Sequence, residues 1–281
     1  MFRSLLFIPA NNPSMLQNAD IFLCDGVIFD LEDAVGLDEK DNARDLLNTY
    51  LTTSPSFPKT ILVRVNGVFS DFIDEDLIVL NTGKIDYIVV PKADIDALFI
   101  LDYKLRRLED KYHLNSTKLI CLLEDSTGIN QANEIAMHPR VEGLLLGAED
   151  LTKELEIERT TEGQELIFPR SKVVYACQSQ GILSIDTPYT DINDVEGLSF
   201  DCQQAKKLGM KAKTAIHPSQ IDRIHQVFSP TKEVIEWAKG VVSIVENEHK
   251  TLFQFQGKMI DKPVIERAMK ILEKAKLFDL L

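Results

Sequence analysis

Short apolar runs alternate along the chain with longer segments in which apolar residues recur every three or four positions. The short runs predict buried strands, and the longer segments predict amphipathic helices. The runs lie at residues 5–8, 26–30, 60–65, 87–90, 119–123, 143–146, 181–185 and 213–216. Because eight strands alternate with helices, we expect a (β/α)₈ TIM barrel, a fold of roughly 250 residues.

The helical segments continue beyond the eighth strand. They cover residues 12–22, 95–108, 130–137, 170–180, 194–208, 230–248 and 263–277, and another begins near residue 38. We expect residues 1–249 to form the barrel domain, closed by the segment 230–248, and residues 250–281 to form a C-terminal helical extension. An open doubly wound sheet has the same alternation, but it usually carries a glycine-rich turn after the first strand. Pro9-Ala-Asn-Asn12 does not supply one.

Nearly every predicted strand ends in a polar or charged residue. These residues are Asp30, Glu32, Asp33, Arg64, Asn66, Lys92, Glu124, Asp150, Asp186 and His217. In a (β/α)₈ barrel the carboxyl ends of the strands meet at the active site. The pattern therefore predicts a polar site at that end of the barrel.

Glu124 and Asp150 end neighbouring predicted strands. Two adjacent carboxylates repel each other, so a divalent cation between them would be favoured, and ligation by oxygen alone suits Mg²⁺. The alternative is that the two acids cap the helices that follow. Asp125 and Glu149 are adjacent acids, but since a strand alternates its sides, only one acid of each pair can point inward.

Arg64 ends a strand that is apolar enough to be buried. A buried arginine is costly without a partner. It is expected to pair with a substrate carboxylate or with a neighbouring acid such as Glu32 or Asp33, and both pairings can hold together. Asp30, Glu32 and Asp33 would then either support the metal ligands from behind or form a structural network.

Composition narrows the class of protein further. The chain has 281 residues, of which 44% are hydrophobic, and a formal net charge of -13, which argues against nucleic acid as a partner. The apolar run of residues 1–9 is too short for a signal peptide or a membrane span. Four cysteines without metal-ligand spacing indicate reduced thiols, so we expect a cytoplasmic protein.

Several basic residues could form a rim for a phosphorylated carrier. These are Arg3, Lys92, Lys213 and His217, although each alone is more often a solvated charge or a turn residue. The sequence contains no P-loop, no GxGxxG motif and no GxSxG motif. A nucleotide hydrolase and a serine esterase are therefore disfavoured.

A set of motifs in fixed order resembles the citrate lyase β-subunit or citryl-CoA lyase family, within the HpcH/HpaI aldolase and malyl-CoA lyase superfamily. The match covers nearly the whole chain. The motifs are Arg3-Ser-Leu-Leu-Phe-Ile-Pro-Ala-Asn11, Phe29-Asp-Leu-Glu-Asp-Ala-Val35, Val63-Arg-Val-Asn66, Val90-Pro-Lys92, Leu123-Glu124, Gly147-Ala-Glu-Asp-Leu151, Pro169-Arg-Ser171, Ala215-Ile-His-Pro-Ser-Gln-Ile221 and Gly257-Lys-Met-Ile-Asp-Lys-Pro263.

The resemblance implies a Mg²⁺-dependent barrel, trimeric or hexameric, that cleaves or forms a carbon–carbon bond next to a thioester. By motif position, Glu124 and Asp150 match the metal ligands, with Glu124 also next to the substrate. Arg64 matches the substrate-binding and catalytic arginine.

The resemblance also implies roles at the carrier and at a subunit boundary. Arg3, Lys213 and His217 fall where relatives approach the CoA moiety. Asp261 matches a catalytic aspartate that reaches the active site of a neighbouring subunit. Three positions differ from the usual pattern: Asp94, Asp125 and Ala212. Relatives usually have glycine at position 212, and glycine allows the backbone to approach a ligand closely. The alanine here therefore weakens the case for the CoA contact.

The expected reaction is cleavage of a 3-hydroxy-3-carboxyacyl thioester, citryl-CoA-like, into an acyl thioester and a 2-keto acid. Citramalyl and malyl thioesters are open alternatives as substrates. Added thioester hydrolysis, an aldolase reaction without CoA, and a non-catalytic thioester-binding subunit are open alternatives as functions. The carrier is either free CoA or an acyl carrier protein that acts with other citrate lyase subunits.

Overall fold

Eight parallel strands follow one another in chain order around a closed barrel, and the last pairs with the first. The structure is a computed structural model, and it describes residues 2–54 and 57–281. The architecture confirms the predicted (β/α)₈ fold. The strands are β1 (Ser4–Pro9), β2 (Gly26–Asp30), β3 (Thr60–Arg64), β4 (Tyr87–Val90), β5 (Lys118–Leu123), β6 (Val141–Leu146), β7 (Leu183–Asp186) and β8 (Ala212–Ala215).

Helices connect the strands and continue after β8. They are α1 (Pro13–Gln17), α2 (Lys40–Thr53), α3 (Ile73–Asp76), α4 (Ile95–Tyr112), α5 (Ser126–Asn130), α6 (Ala132–Ala136), α7 (Ala148–Glu154), α8 (Ile167–Gln180), α9 (Val195–Leu208), α10 (Ile221–Phe228), α11 (Lys232–Glu248) and α12 (Lys262–Leu277). The sequence did not predict α3, α5, α7 or α10, because helices of four to eight residues are too short to show a clear helical period.

The barrel interior is apolar at its amino-terminal end and polar at its carboxyl-terminal end. The buried interior cluster consists of Phe2, Leu5, Ile28, Leu62, Val89, Ile120, Leu122, Leu145, Ile185 and Ala212. Since a strand places every second residue on the same face, the inward row continues from Ile28 to Asp30, from Leu62 to Arg64 and from Leu122 to Glu124. The fold therefore brings these polar side chains together above the apolar layer.

The chain forms two compact units, Met1–His225 and Gln226–Leu281. In the second unit, α11 and α12 pack together with a hairpin of β9 (Phe253–Phe255) and β10 (Lys258–Ile260). Its buried core consists of Ala238, Val241, Ile260, Ile265 and Ala268. By packing, α11 belongs to this unit, whereas the sequence suggested that it closes the barrel. The predicted division into a barrel domain of residues 1–249 and a C-terminal extension of residues 250–281 stays a prediction.

All four cysteines, each within the described ranges, are buried and free. This agrees with the expectation of reduced, structural thiols. Among residues 2–54 and 57–281, no helix has both the length and the apolar character that crossing a bilayer requires.

Candidate functional site at the carboxyl end of the barrel

A cavity of about 420 Å³ lies at the carboxyl ends of the strands, within the first unit. Phe7, Leu145 and Ile216 contribute apolar walls. The charged residues that line it are Asp30, Asp33, Arg64, Glu124, Glu149 and Asp150. The structure therefore brings together five of the residues that were predicted from the strand ends.

Glu124 follows β5 and is only 4% exposed. The backbone N–H of Lys92 donates to Glu124 Oε1 at 2.8 Å, which fixes the carboxylate. Gly147 passes so close that a Cβ there would lie 2.5 Å from Glu124 Cβ, so no larger residue fits without moving the glutamate. Burial raises the pKa of Glu124 to about 7, and the Asp150 carboxylate adds to the rise, although the Lys92 amide and Arg64 oppose it.

Asp150 lies in the first turn of α7, not on a strand as the sequence suggested. Gly147 is the residue that precedes this helix, so Asp150 is not its cap. The neighbouring Asp125 caps α5 by accepting the Gly128 N–H at 2.7 Å. Neither Glu124 nor Asp150 is therefore used as a helix cap, and both face the cavity instead.

Arg64 is held by a bidentate ion pair with Asp30. Its Nε donates to Oδ1 at 2.7 Å and its Nη2 to Oδ2 at 2.6 Å. The third nitrogen, Nη1, lies 3.2 Å from Glu32 and 3.5 Å from Asp33. Burial alone would lower the pKa of Arg64, but these carboxylates outweigh it and raise the pKa. The internal ion pair that the sequence left open is therefore present.

Asp30 also orders the loop that follows β2. Its two oxygens accept the backbone N–H groups of Glu32 at 2.9 Å and Ala34 at 3.2 Å. Because Asp30 binds this loop and Arg64 at once, the acidic cluster is a structural network around the arginine. Support of a metal ligand by Asp30, Glu32 and Asp33 stays a prediction.

Glu32 is 8% exposed, and among the described residues its Oε2 has no hydrogen-bond partner. Burial raises the pKa of Glu32 to about 8, while Arg64 opposes the rise and Asp33 and Glu124 add to it. The contact with Arg64 Nη1 has the distance of an ion pair but not the angle of a hydrogen bond. A buried carboxylate beside the cavity is therefore not fully compensated.

Arg3 and Lys213 do not reach the cavity. Arg3 precedes β1, at the opposite end of the barrel, and its Nη2 lies 2.7 Å from Asp25 Oδ1. Lys213 is 0% exposed, because the neighbouring Ala212 takes the inward position on β8 and Lys213 faces away from the interior. Neither side chain lines the cavity, and a contact of Arg3 or Lys213 with a CoA moiety stays a prediction. Ala212 likewise belongs to the apolar interior.

His217 and Asp261 both cap the element that follows them. His217 comes two residues after β8, is exposed, and its Nδ1 accepts the Ser219 N–H at 3.2 Å. Asp261 lies in the second unit, is exposed, and accepts the Val264 N–H at 3.2 Å as the N-cap of α12. The carrier role of His217 and the catalytic role of Asp261 stay predictions.

Two residues of the site were not predicted from the sequence. Phe7 places its ring 5.0 Å from the Arg64 guanidinium, and its inward position could have been read from the alternation that starts at Leu5. Lys40 is buried and donates from Nζ to the carbonyls of Leu31 at 2.7 Å and Glu32 at 2.6 Å. No local sequence signal indicated that Lys40 holds the acidic loop.

The donor set fits a magnesium ion better than a transition metal. Within the described residues, no group of three or more histidine, cysteine or acidic side chains is arranged to enclose a metal. Mg²⁺ is usually bound through one or two carboxylates and keeps several waters or substrate oxygens, whereas zinc sites use nitrogen and sulfur ligands. Glu124 and Asp150 therefore fit an open, oxygen-only site.

The raised pKa of Glu32 predicts a pH-dependent stability. The carboxyl has a pKa of about 8 in the folded state, against an ordinary value of 4.5 for glutamate, so between these pH values the folded state binds the proton more tightly than the unfolded state. The free energy of unfolding must therefore fall as pH rises through this window. Because glutamine mimics the protonated acid, we expect Glu32→Gln to stabilise the metal-free protein by about 1–3 kcal/mol at pH 8 and far less at pH 5.

Urea unfolding in EDTA at both pH values measures this difference. Asp33→Asn, an exposed neighbour on the same loop, is the matched control and should change stability little at either pH. An equal effect of Glu32→Gln at pH 5 and pH 8 would contradict the raised pKa.

Known proteins that are similar to this chain agree with the barrel fold described above. A family model for HpcH/HpaI aldolase/citrate lyase matches residues 3–218. The citrate lyase subunit beta of Haemophilus influenzae is 37% identical over 98% of this chain and 97% of its own length. The (3S)-malyl-CoA thioesterase of Cereibacter sphaeroides is 33% identical over 98% of this chain and 94% of its own length.

A solved structure is similar over the same extent. The CitE protein of Mycobacterium tuberculosis, crystallised with magnesium, acetoacetate and coenzyme A, superposes with a TM-score of 0.79 at 30% identity and covers 97% of both chains. The resemblance that the sequence motifs indicated is confirmed. The chain belongs to the HpcH/HpaI aldolase/citrate lyase family and is one of its carbon–carbon lyases.

Proposed function

We propose that the protein is a Mg²⁺-dependent lyase that cleaves a 3-hydroxy-3-carboxyacyl thioester, citryl-CoA-like, into an acyl thioester and a 2-keto acid. The observation that carries the proposal is the convergence of Glu124, Asp150 and Arg64 on one cavity of about 420 Å³. Cavities of this size suit small-molecule substrates. The similar CitE structure contains magnesium, acetoacetate and coenzyme A, which supports the same ligand classes here.

Glu124 and Asp150 would hold the Mg²⁺ ion. When bound, the ion supplies Lewis acidity toward the hydroxyl and carboxylate oxygens of the substrate. The Lys92 amide and the close approach of Gly147 fix the Glu124 carboxylate, so it does not have to be ordered when the ligand arrives.

Arg64 would stabilise negative charge on the substrate. Nε and Nη2 are committed to Asp30, but Nη1 makes only the two longer contacts with Glu32 and Asp33. Nη1 is therefore the nitrogen that can turn to a substrate carboxylate or to the enolate oxygen of the departing thioester. A preorganised cation of this kind can contribute several kcal/mol to the lowering of the barrier.

In the cleavage direction, the substrate hydroxyl loses its proton and becomes the carbonyl of the 2-keto acid. The electron pair of the broken carbon–carbon bond passes to the thioester enolate, which then takes a proton at its α-carbon. Asp261 is our candidate for this proton transfer. We propose that it acts from a neighbouring subunit of a homotrimer or hexamer.

The proposal also covers the carrier of the acyl group and the cellular location of the enzyme. The thioester is carried either by free CoA, with His217 as a basic contact, or by an acyl carrier protein in a citrate lyase complex. We place the enzyme in the cytoplasm, and its four buried free cysteines support a reducing compartment.

The proposal predicts Mg²⁺-dependent cleavage by the purified protein alone. We expect one of citryl-CoA, citramalyl-CoA and malyl-CoA to yield its 2-keto acid with Mg²⁺ and to remain intact in EDTA. Asp150→Asn should lower turnover by at least ~10²-fold while the circular dichroism spectrum stays unchanged, because it removes a metal ligand without changing side-chain volume. Coupled assays for the keto acid and a thiol reagent for free CoA measure the products.

The outcomes separate the alternative functions. Release of free CoA together with the keto acid would indicate added hydrolysis, the activity named for the malyl-CoA thioesterase relative. No cleavage of the three CoA esters, together with full activity on an acyl carrier protein thioester, would identify the acyl carrier protein as the carrier. A wild-type rate of turnover for Asp150→Asn would exclude Asp150 as a metal ligand.

Asp261 provides a second test, because its capping and catalytic roles can be separated. Asparagine caps a helix as well as aspartate does, so Asp261→Asn should leave the melting temperature unchanged. We expect turnover to fall by about 10²-fold or more, since the amide cannot transfer a proton. Asp261→Ala should lose both activity and stability, and full activity in either variant would exclude Asp261 from the proton transfer.

A further inference from the structure

Four charged side chains form a buried network on the outer side of β7 and β8. Arg170 is 1% exposed and donates to both oxygens of Asp186, at 2.8 and 3.0 Å, and to Asp201 at 2.5 Å. Lys213 donates to Asp186 and to Asp201, each at 2.6 Å. We call Arg170, Asp186, Asp201 and Lys213 the Lys213 network. Its two cations and two anions balance, which is the condition under which charges can be buried.

The Lys213 network is linked to the start of α7 through Thr187. The third N–H of Lys213 donates to the carbonyl of Thr187 at 2.6 Å. The hydroxyl Oγ1 of Thr187 accepts the backbone N–H of Ala148 at 3.1 Å. Ala148 is the first residue of α7, and Gly147, which precedes it, has no side chain that could cap the helix. Thr187 therefore satisfies an amide two residues before Asp150.

A second link runs through Arg159, which precedes α8. Its Nη1 pairs with the carboxylate of Glu149, next to Asp150, and its Nη2 lies 3.5 Å from Asp201 of the Lys213 network. The guanidinium also lies 6.0 Å from the ring centre of Tyr189. Arg159 thus ties the first turn of α7 to the same buried charges from the other side.

We infer that Thr187 and Arg159 are positioning residues that couple the Lys213 network to α7 and thereby fix the Asp150 carboxylate for metal binding. The inference rests on the proposed function, because it takes Asp150 to be a metal ligand. It also assigns a role to Lys213 different from the carrier contact that the sequence suggested. The Lys213 network holds the backbone of the first turn of α7, which carries the proposed metal ligand Asp150.

The geometry distinguishes this role from general stabilisation. A ligand in the first turn of a seven-residue helix depends on how that turn is anchored. The backbone contacts of the turn are Gly147 N–H to the Leu123 carbonyl at 2.9 Å and Ala148 N–H to Thr187. Loss of the second contact frees the turn but leaves the Glu124 and Asp150 carboxylates themselves intact. Residues that orient a ligand in this way typically contribute 10–100-fold to metal affinity.

Mn²⁺ binding to the full-length protein without substrate tests the inference. Electron paramagnetic resonance titration gives the Kd of Mn²⁺, and the melting temperature reports folding. We expect Thr187→Val, which is isosteric but lacks the acceptor, to weaken Mn²⁺ binding by about tenfold or more. Thr187→Ser keeps the hydroxyl and should bind within about twofold of wild type. Arg159→Gln should also weaken binding.

A matched control distinguishes loss of the contact between Thr187 and α7 from a general loss of stability of α7. Thr152 is a buried threonine on α7 whose hydroxyl donates to the Ala148 carbonyl at 2.9 Å and makes no link to the Lys213 network. Thr152→Val should lower the melting temperature but leave the Kd of Mn²⁺ unchanged. Equal weakening by Thr152→Val and Thr187→Val would overturn the inference.

Asp150→Asn distinguishes failure of the inference from failure of the proposed function. If Asp150→Asn loses Mn²⁺ binding while folded Thr187→Val and Arg159→Gln bind as wild type, only the positioning role is overturned. If Asp150→Asn binds Mn²⁺ as wild type, the proposed metal site is overturned, and the positioning role falls with it.

Discussion

Crowding of carboxylates at the carboxyl end of the barrel is the constraint on which the site depends. Five acidic residues line the cavity, Glu32 is buried beside it, and within the described residues Arg64 is the only cation in the lining. Burial raises the pKa values of Glu32 and Glu124, neighbouring carboxylates add to the rise, and Arg64 opposes it without cancelling it. A site of this kind gains free energy from a further cation. The fold accordingly favours binding of a divalent ion, and the chemistry follows from where that ion would lie.

On the outer side of β7 and β8 the buried charges are paired, in contrast to the carboxylates at the cavity. There, two basic and two acidic residues of the Lys213 network pair completely, and Lys213 uses all three N–H groups. Asp186 and Asp201 raise the pKa of Lys213 although burial alone would lower it. A fully satisfied network makes its surroundings rigid, whereas unpaired buried charges are costly and favour a bound counter-ion. The two sets of charges meet at α7, which carries Asp150 on the cavity side.

The barrel and most of the charged cavity residues could be predicted because their signals are local. Apolar runs that end in Asp30, Arg64 or Glu124 show both the strand and the end at which its polar residue lies. The side of Lys213 could not be predicted, since a shift of one residue in the start of β8 exchanges the inward and outward faces. The links of Thr187 to Ala148 and of Arg159 to Glu149 join distant segments, so no local pattern indicates them.

The most direct test of the central claim is a crystal structure of the protein with Mn²⁺, in which the anomalous signal identifies the metal. The account predicts a peak about 2 Å from an oxygen of Glu124 and of Asp150, in the distance range of carboxylate ligands to a small divalent ion. Waters or a bound 2-keto acid should complete the coordination. A metal bound elsewhere, or no peak between these two carboxylates at saturating Mn²⁺, would contradict the account.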